Sequence, residues 1–270
     1  MAARLTLDQI RDFWTRQAVE HGAAPSASWT DLPVIELEIR EMLKHLHDGD
    51  RILDIGCANG YSTLHFAAEK KVTIRGLDFI PEMIEQANKR LADLSGQLAG
   101  TVSFDVGNIL ALKEPDASYD KLVVIRVVIN LGDWSNQRQA LRECARVLKP
   151  GGILLLSEAT LQGWNQLNAF RREWALPDLP MPGFNNYLDQ DRVLQETTAD
   201  FEVVQVANFA STYYVGSRVL KPLLIQALGN SVDVANPHHL WNKWFAQLPA
   251  VGDFGTQKLF VLKRRPPARG

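Results

Sequence analysis

Short apolar runs alternate with amphipathic segments through the middle of the chain, and this alternation limits the fold more than any other feature. Five apolar runs predict strands, at Arg51–Ile55, Val72–Leu77, Thr101–Asp105, Lys121–Arg126 and Ile153–Ser157. Helices are predicted between them, one from Tyr61 to Glu69, one opened by Pro81 and one capped by Ser135. Strands that alternate with helices form a parallel sheet covered on both faces. The pattern therefore predicts a doubly wound α/β fold.

The regions on either side of this alternation are less regular. Residues 1–47 are predicted to be helical, and residues 160–192 are rich in Pro, Trp, Arg and Asn. Residues 210–256 form a long connection, and connections of that length in a compact domain usually carry function or extra helices. It joins two further predicted strands, Phe201–Val206 and Lys258–Leu262. These two strands bring the predicted sheet to seven strands. The N-terminal and inserted segments are predicted to form a helical cap.

The composition is that of an ordinary folded protein. Of 270 residues, 46% are apolar and 22% are charged, which is enough for a sizeable core. The formal net charge of −2 argues against a sequence-independent grip on nucleic-acid phosphates. The two cysteines, Cys57 and Cys144, cannot form a disulfide framework and indicate a reducing compartment. The chain has no apolar run near the ~20 residues of a membrane span and no signal-peptide pattern, so we expect a cytoplasmic protein that does not enter a membrane.

A Gly-rich turn and a second acid point to a nucleotide-like ligand. The segment Leu53–Gly60 lies between a predicted strand and helix, where Gly56 and Gly60 let the backbone turn sharply and approach a ligand. A tight connection alone could explain the turn. Asp78, however, ends the next predicted strand 24 residues after Asp54. In nucleotide-binding α/β folds, an acid about 20 residues after the turn accepts hydrogen bonds from ribose hydroxyls.

The details of the turn exclude two common ligand sites. A dinucleotide pyrophosphate site needs G-x-G-x-x-G, whereas Ala58 occupies the middle position here. The G-x-x-x-x-G-K-[ST] pattern of a P-loop is also missing from the sequence. The expected ligand is therefore an adenosine compound whose binding needs neither a pyrophosphate-binding turn nor a P-loop.

At this point the sequence resembles the class I S-adenosylmethionine-dependent methyltransferases, over about residues 48–160. Five family motifs are matched in order by Asp54–Gly60, Gly76–Met83, Asp105–Leu110, Tyr119–Ile125 and Leu141–Gly152. Ala58 departs from the family, which often has glycine there, and alanine fits such a turn only while its φ stays negative. The resemblance implies a Rossmann-like fold and S-adenosyl-L-methionine as cofactor.

The resemblance also implies roles for individual residues. It places the turn backbone and the region of Arg126 beside the methionine part, Asp78 on the ribose, and side chains that follow the second and third strands around the adenine. The cofactor-binding residues implied in this way are Asp54, Gly56, Cys57, Gly60, Asp78, Phe79, Met83, Asn108, Ile109 and Arg126. Ordinary core packing explains Phe79, Met83 and Ile109 equally well.

Methyl transfer requires alignment of acceptor, methyl carbon and sulfur, with a general base only for some acceptors. We therefore assign no catalytic residue, and no metal is expected because Cys- or His-rich ligand spacing is missing. After the fourth strand the chain reads Arg126-Val-Val-Ile-Asn-Leu, unlike the D/N-P-P-aromatic motif of nucleic-acid amino-methyltransferases. The expected acceptor is thus an O or N atom of a small metabolite rather than a nucleic acid.

Aromatic and cationic residues outside the alternating region are the substrate candidates. The chosen residues are Arg171, Tyr187, Tyr214 and Arg218, in segments expected to cap the carboxyl ends of the strands. Arginine forks bind carboxylate or phosphate, which predicts a small acceptor with an anionic group. Surface ion pairs are the alternative explanation for these arginines. The sequence does not indicate the oligomeric state.

We interpret the chain as a single domain, 1–270. In it, an N-terminal cap (1–47) precedes a cofactor-binding core (48–160), and two insertions (160–192 and 210–256) complete the substrate cap. Three alternatives stay open: a nicotinamide oxidoreductase, a non-catalytic S-adenosylmethionine-binding or interaction protein, and a protein methyltransferase with an open groove.

Overall fold

The sheet forms from the seven apolar runs that the sequence indicates. The computed structural model describes residues 5–94, 96–229 and 232–266. Its strands are β1 (Arg51–Ile55), β2 (Thr73–Asp78), β3 (Thr101–Val106), β4 (Tyr119–Ile125), β5 (Leu148–Ala159), β6 (Phe201–Ala207) and β7 (Gln257–Arg264). They lie in the order β3-β2-β1-β4-β5-β7-β6. Strands β1 to β5 pair in parallel, whereas β7 is antiparallel to both β5 and β6. The predicted seven-stranded α/β fold is confirmed.

Helices cover both faces of this sheet and extend beyond its carboxyl edge. In the described ranges they are α1 (Leu7–His21), α2 (Leu32–Leu43), α3 (Tyr61–Glu69), α4 (Pro81–Asp93), α5 (Trp134–Val147), α6 (Leu161–Glu173), α7 (Gln190–Glu196), α8 (Ser211–Val215), α9 (Lys221–Ala227) and α10 (Leu240–Phe245). Short 3₁₀ turns occupy Pro25–Ala27 and Val128–Asn130, and a π-helical turn occupies Gly216–Leu220. None of the described helices is long and apolar enough to cross a membrane.

Alternate residues of the central strands enter two separate cores. Ile52 of β1 packs with α2 residues on one face, while Leu53 packs with α5 residues on the other. Both side chains are fully buried. Strands buried on both faces read as continuous apolar runs, which is why the sequence pattern located them so well.

Two local boundaries differ from the predictions. Helix α5 begins at Trp134, and its N-cap is Asp133 rather than Ser135, because the Asp133 carboxylate accepts a hydrogen bond from the Asn136 N–H at 2.9 Å. Strand β5 starts at Leu148 rather than at Ile153, directly after α5. Aspartate is as good an N-cap as serine, so the sequence alone did not decide between them.

The strand order creates a crevice at the carboxyl edge of the sheet. Strand β1 lies between β2 and β4, so the chain leaves its carboxyl end toward one side and the end of β4 toward the other. Ligands of open α/β sheets bind at such a switch point. The N-terminal segment reaches the same place, since the side-chain amide of Asn59 donates to the carbonyl oxygens of Gly22 (3.0 Å) and Ala24 (2.7 Å). The proposed division into core and cap segments stays a prediction.

Candidate functional site

A cavity of about 470 Å³ lies at the carboxyl ends of β1, β2 and β4. One part of its wall is formed by the Gly-rich turn and the start of α4. The other part is formed by α1, the loop around Phe184 and Tyr214 of α8. All three predicted cap segments therefore contribute to its wall. The two parts touch, because Trp14 of α1 packs on the cluster that contains Ile80 and Met83. We call these two parts the turn end and the aromatic end.

Both glycines of the turn occupy positions where a side chain would collide. Gly56 has φ +76°, and a Cβ atom there would lie 2.1 Å from the side chain of Val127. Gly60 has φ +74°, and its Cβ would lie 2.7 Å from the Phe104 ring. The N–H groups of Gly56 and Cys57 donate to the Leu77 carbonyl at 2.6 and 3.0 Å. The turn is thus fixed by its own backbone, as close approach to a ligand requires.

Asp78 holds the same turn from the neighbouring strand. Its two carboxylate oxygens accept the N–H groups of Ala58 and Ile80, each at 2.9 Å. Burial raises the pKa of Asp78 to about 6, against the opposing effect of these backbone hydrogen bonds. Ala58 has φ +47°, so the expectation of a negative φ there was wrong. The hydrogen bond from its N–H to Asp78 accounts for this left-handed conformation.

Asp54 is the second acid of the turn end. It is buried and accepts a hydrogen bond from the Thr63 hydroxyl at 2.6 Å. Burial raises the pKa of Asp54 to about 7, and the nearby Asp78 contributes in the same direction. The acid therefore links the end of β1 to α3 and lies in the cavity wall.

Nine of the ten predicted cofactor residues line the cavity, and Gly60 does not because it packs against Phe104. The apolar members differ in exposure. Phe79 is 45% exposed and has the Arg11 guanidinium 5.0 Å from its ring centroid, whereas Met83 and Ile109 are buried. The side-chain oxygen of Asn108 accepts from the Leu110 N–H at 2.9 Å, which shapes the turn after β3.

Arg126 stands in the wall between the two ends. It has φ +54°, and its guanidinium forms an ion pair with Glu38 and lies 4.9 Å from the Trp29 ring centroid. Glu38 is fully buried and also accepts hydrogen bonds from Ser157 and Gln257. The sequence analysis missed Glu38. The sequence signal for it was an acid on the otherwise apolar face of α2, because an acid at such a buried position needs a partner.

Glu158 is a second residue that the sequence analysis missed. Its carboxylate accepts the N–H groups of Val127 (2.9 Å), Val128 (2.7 Å) and Ile129 (3.4 Å). Burial raises the pKa of Glu158 to about 8, although these hydrogen bonds oppose the shift. Glu158 thereby holds the 3₁₀ turn that follows β4. It is this turn, through Ile129 and Asn130, that lines the cavity. The sequence pattern that could have identified Glu158 is the polar pair Ser157-Glu158 at the end of an apolar strand.

The aromatic end is assembled from residues far apart in the chain. Phe13 of α1 stacks on Phe184 with ring centroids 4.4 Å apart, and Trp14 meets the same ring edge-on at 5.7 Å. Trp14, Phe184, Tyr187 and Tyr214 line the cavity. Two of the predicted substrate residues, Tyr187 and Tyr214, are therefore brought together here.

The structure contradicts the prediction that Arg171 and Arg218 contact the substrate. Arg171 is buried and donates to the carbonyl oxygens of Pro177 (2.9 Å) and Arg218. The guanidinium of Arg218 forms an ion pair with Asp31 and donates to Ser217 at 2.7 Å. Neither residue lines the cavity. A guanidinium group shielded from solvent needs hydrogen-bond or ion-pair partners within the protein, and both arginines have such partners.

Comparisons with known proteins agree with this architecture. The family described as "Methyltransferase domain" matches residues 52–152. O-methyltransferase rstn1 of Aspergillus nomiae is 31% identical over 179 residues, which cover 65% of this chain and 74% of the relative. Demethylmenaquinone methyltransferase of Listeria monocytogenes is 30% identical over 192 residues, covering 64% and 75%. The 27-O-demethylrifamycin SV methyltransferase of Amycolatopsis mediterranei is 35% identical over 43% of this chain. The chain spans 41% of that relative and 52% of Methyltransferase GfsG of Streptomyces halstedii, about half of their lengths.

Solved structures share the fold at low sequence identity. Phosphoethanolamine N-methyltransferase 1 of Haemonchus contortus, in complex with phosphoethanolamine and S-adenosylhomocysteine, superimposes with a TM-score of 0.63 at 16% identity. That match covers 98% of this chain and 50% of the other. The [4+2]-cyclase SpnF gives a TM-score of 0.55 at 21% identity, covering 86% and 82%.

The sheet order, the Gly-rich turn and the acid that closes it define an α/β protein with a site for an adenosine cofactor. The chain belongs to the class I S-adenosylmethionine-dependent methyltransferases, as its sequence motifs predicted. The cofactor of that family is S-adenosylmethionine, and the turn end fits it. Gly56 and Asp78 both line the cavity, and each carboxylate oxygen of Asp78 keeps a lone pair after accepting one N–H group.

Proposed function

We propose that this chain transfers the methyl group of S-adenosylmethionine to an oxygen or nitrogen atom of a small metabolite. One observation supports this most strongly: a single cavity joins the turn end to an aromatic end built from all three cap segments. The names of the sequence relatives, which include O-methyltransferases and a demethylmenaquinone methyltransferase, support the same class of reaction. Location in the cytoplasm and the lack of a nucleic-acid partner stay predictions.

At the turn end we assign cofactor binding to the chain's own groups. Asp78 accepts the ribose hydroxyls, Phe79 and Met83 flank the adenine, and the backbone at Gly56 and Cys57 contacts the methionine part. When bound, the cofactor supplies a methyl group on a positively charged sulfur, which an acceptor lone pair can attack. The residues that shape the turn have no further chemistry to supply.

At the aromatic end the chain orients the acceptor and excludes water. The contact of Phe13 and Trp14 with Phe184 closes the wall above the cavity. Exclusion of water and alignment of the reacting atoms are the main contributions that a methyltransferase must make. Direct binding of an acceptor carboxylate or phosphate by Arg171 and Arg218 is not proposed, because neither residue lines the cavity.

The test uses methyl-labelled S-adenosylmethionine with an extract of small metabolites, and mass spectrometry of the products. We expect label transfer by the native chain and none by Asp78→Ala. Asp105→Ala is the matched control, because Asp105 also lies near the carboxyl end of a strand, β3, but pairs with Arg75 and does not line the cavity. Cofactor binding without any labelled product would instead support a non-catalytic binding protein. Label on added proteins alone would support a protein methyltransferase.

A further inference from the structure

A partly buried cation, the guanidinium of Arg218, lies against Tyr214 of the aromatic end and against its neighbour Tyr213. Arg218 belongs to the π-helical turn Gly216–Leu220, a rare element that is frequent at functional sites. Its guanidinium carbon is 4.9 Å from the ring centroid of Tyr214 and 5.5 Å from that of Tyr213. Arg218 does not line the cavity, whereas Tyr214 does. Tyr214 therefore stands between this cation and the cavity, in contact with both.

A network of buried groups fixes the position of the guanidinium. Asp31 pairs with Arg218 and also accepts the Tyr213 hydroxyl at 2.6 Å. The Tyr213 hydroxyl in turn accepts from the side-chain amide of Asn242 at 2.9 Å. Three side chains from three separate segments thus hold one cation against the Tyr214 ring. Such a fully connected polar network is rigid, and it costs stability unless every member is satisfied.

Tyr214 brings a phenolic hydroxyl, which can donate one hydrogen bond, to the cavity wall. The residue is buried, and Thr256 lines the same cavity. Burial raises the pKa of Tyr214, while Arg218 opposes that shift. The hydroxyl therefore keeps its proton at neutral pH, and the cation behind the ring strengthens it as a donor to a negatively charged oxygen.

Other aromatic side chains in the wall of the same cavity suit a flat ring. Trp14, Trp29 and Phe184 line the cavity, and aromatic faces bind aromatic ligands by offset or edge-to-face contact. Asn185 also lies in the wall, and its buried side-chain oxygen has no hydrogen-bond partner within the described part of the chain. A hydroxyl group of a ligand would satisfy that oxygen.

We propose that the acceptor is an aromatic compound with an ionisable hydroxyl group, and that Arg218 is a positioning residue that holds Tyr214 as the hydrogen-bond donor to the reacting oxygen. This proposal rests on the proposed function and deepens it. Tyr214 contacts the acceptor, and Arg218 acts only through Tyr214.

The reaction then balances without a side-chain base. The aromatic hydroxyl releases its proton to solvent on ionisation. An electron pair of the resulting oxygen anion forms the new C–O bond to the methyl carbon, as the C–S bond breaks and its pair stays on sulfur. The positive and negative charges cancel, and the products are a neutral ether and S-adenosylhomocysteine.

The test compares two probes on the protein saturated with S-adenosylhomocysteine, by calorimetry at a pH where 4-nitrophenol is ionised in solution. We expect the native chain to bind 4-nitrophenolate roughly tenfold more tightly than nitrobenzene, the same ring without the oxygen anion. Tyr214→Phe should remove most of this preference. Arg218→Gln should reduce it, and Arg218→Lys should restore part of it. The double variant Tyr214→Phe/Arg218→Gln should show no smaller preference than Tyr214→Phe alone.

The controls separate this proposal from the proposed function. Arg172→Gln, an exposed arginine that pairs with Asp178, should leave the preference unchanged. S-adenosylhomocysteine affinity and melting temperature should stay near native values in Tyr214→Phe. Equal affinity for both probes, or a preference that survives Tyr214→Phe, would overturn the proposal. Label transfer to a non-aromatic metabolite would overturn it too, while leaving the proposed methyl transfer intact. Additive effects of the two substitutions would show that Arg218 does not act through Tyr214.

Discussion

The two ends of the cavity are built by different physical means. At the turn end, hydrogen bonds from backbone N–H groups hold the site: the Leu77 carbonyl accepts two N–H groups of the turn, and the Asp78 carboxylate accepts those of Ala58 and Ile80. At the aromatic end, side chains from distant segments hold it, as in the contact of Asp31 with Arg218, 187 residues apart in sequence. A backbone turn keeps its shape with only a few residue types, whereas a network of side chains can be rebuilt to fit a different ligand. The comparison suggests that one end fixes the cofactor and the other selects the acceptor.

The buried pair of Glu38 and Arg126, between the two ends, gives the largest expected effect. Glu38→Gln keeps the shape of the side chain but leaves the guanidinium of Arg126 without a counter-charge beside Trp29. Breaking a buried pair from one side typically costs about 3 kcal/mol of the free energy of unfolding. Urea denaturation measures this loss in the free energy of unfolding. Asp178→Asn breaks the exposed pair with Arg172 and is the control, with a much smaller expected loss. Equal losses in both variants would show that the Glu38 pair is not a structural link.

The turn end should be most sensitive to a change at Gly56. Gly56→Ala introduces strain at φ +76° and a collision with Val127, so we expect a loss above about 2 kcal/mol in stability and a marked loss of S-adenosylhomocysteine affinity. Gly49→Ala separates the two causes, because Gly49 has φ +91° but nothing within 4 Å of the added Cβ. Calorimetry and thermal melting of both variants provide the comparison. If Gly49→Ala costs as much, the tight approach at Gly56 contributes nothing.

The same contrast explains what the sequence could predict. Strands buried on both faces and the turn from Asp54 to Asp78 are encoded within short stretches, and the structure brings nearly all of those residues to one cavity. The roles of Arg171 and Arg218 depended on partners that local patterns do not reveal. Asp31 and Glu38 become partners of arginines only once α2 packs beside the sheet. Ala58 also escaped prediction, since its left-handed conformation depends on an acid 20 residues away.

The pH dependence of cofactor affinity tests the role of Asp78. Its pKa is raised from 3.8 to about 6, so the free protein binds a proton there as the pH falls below about 6. A protonated carboxyl loses acceptor capacity for ribose hydroxyls. We therefore expect S-adenosylhomocysteine affinity to be constant above about pH 7 and to fall up to tenfold per pH unit below about pH 6. Calorimetry between pH 5 and pH 8 measures this range.

Asp78→Asn is the control for this pH dependence. The amide cannot titrate, so its affinity for S-adenosylhomocysteine should be lower and nearly independent of pH over the same range. The amide also presents an N–H group to one of the two backbone donors, which adds to the loss. If the variant keeps the native pH profile, another group, such as the buried Asp54, controls cofactor binding.

The smallest expected effect lies in the aromatic wall and tests whether the two ends are independent. Phe184→Ala removes the stacked contact with Phe13 and the edge contact with Trp14, which together contribute about 1 kcal/mol beyond the burial of area. Amide hydrogen exchange of α1 should become faster, while S-adenosylhomocysteine affinity changes little. Phe170→Ala breaks a comparable contact, with Phe254 at 4.8 Å, away from the cavity, and should leave exchange in α1 unchanged. A large loss of cofactor affinity in Phe184→Ala would show that the aromatic wall also holds the cofactor, so that acceptor choice and cofactor binding could not change separately.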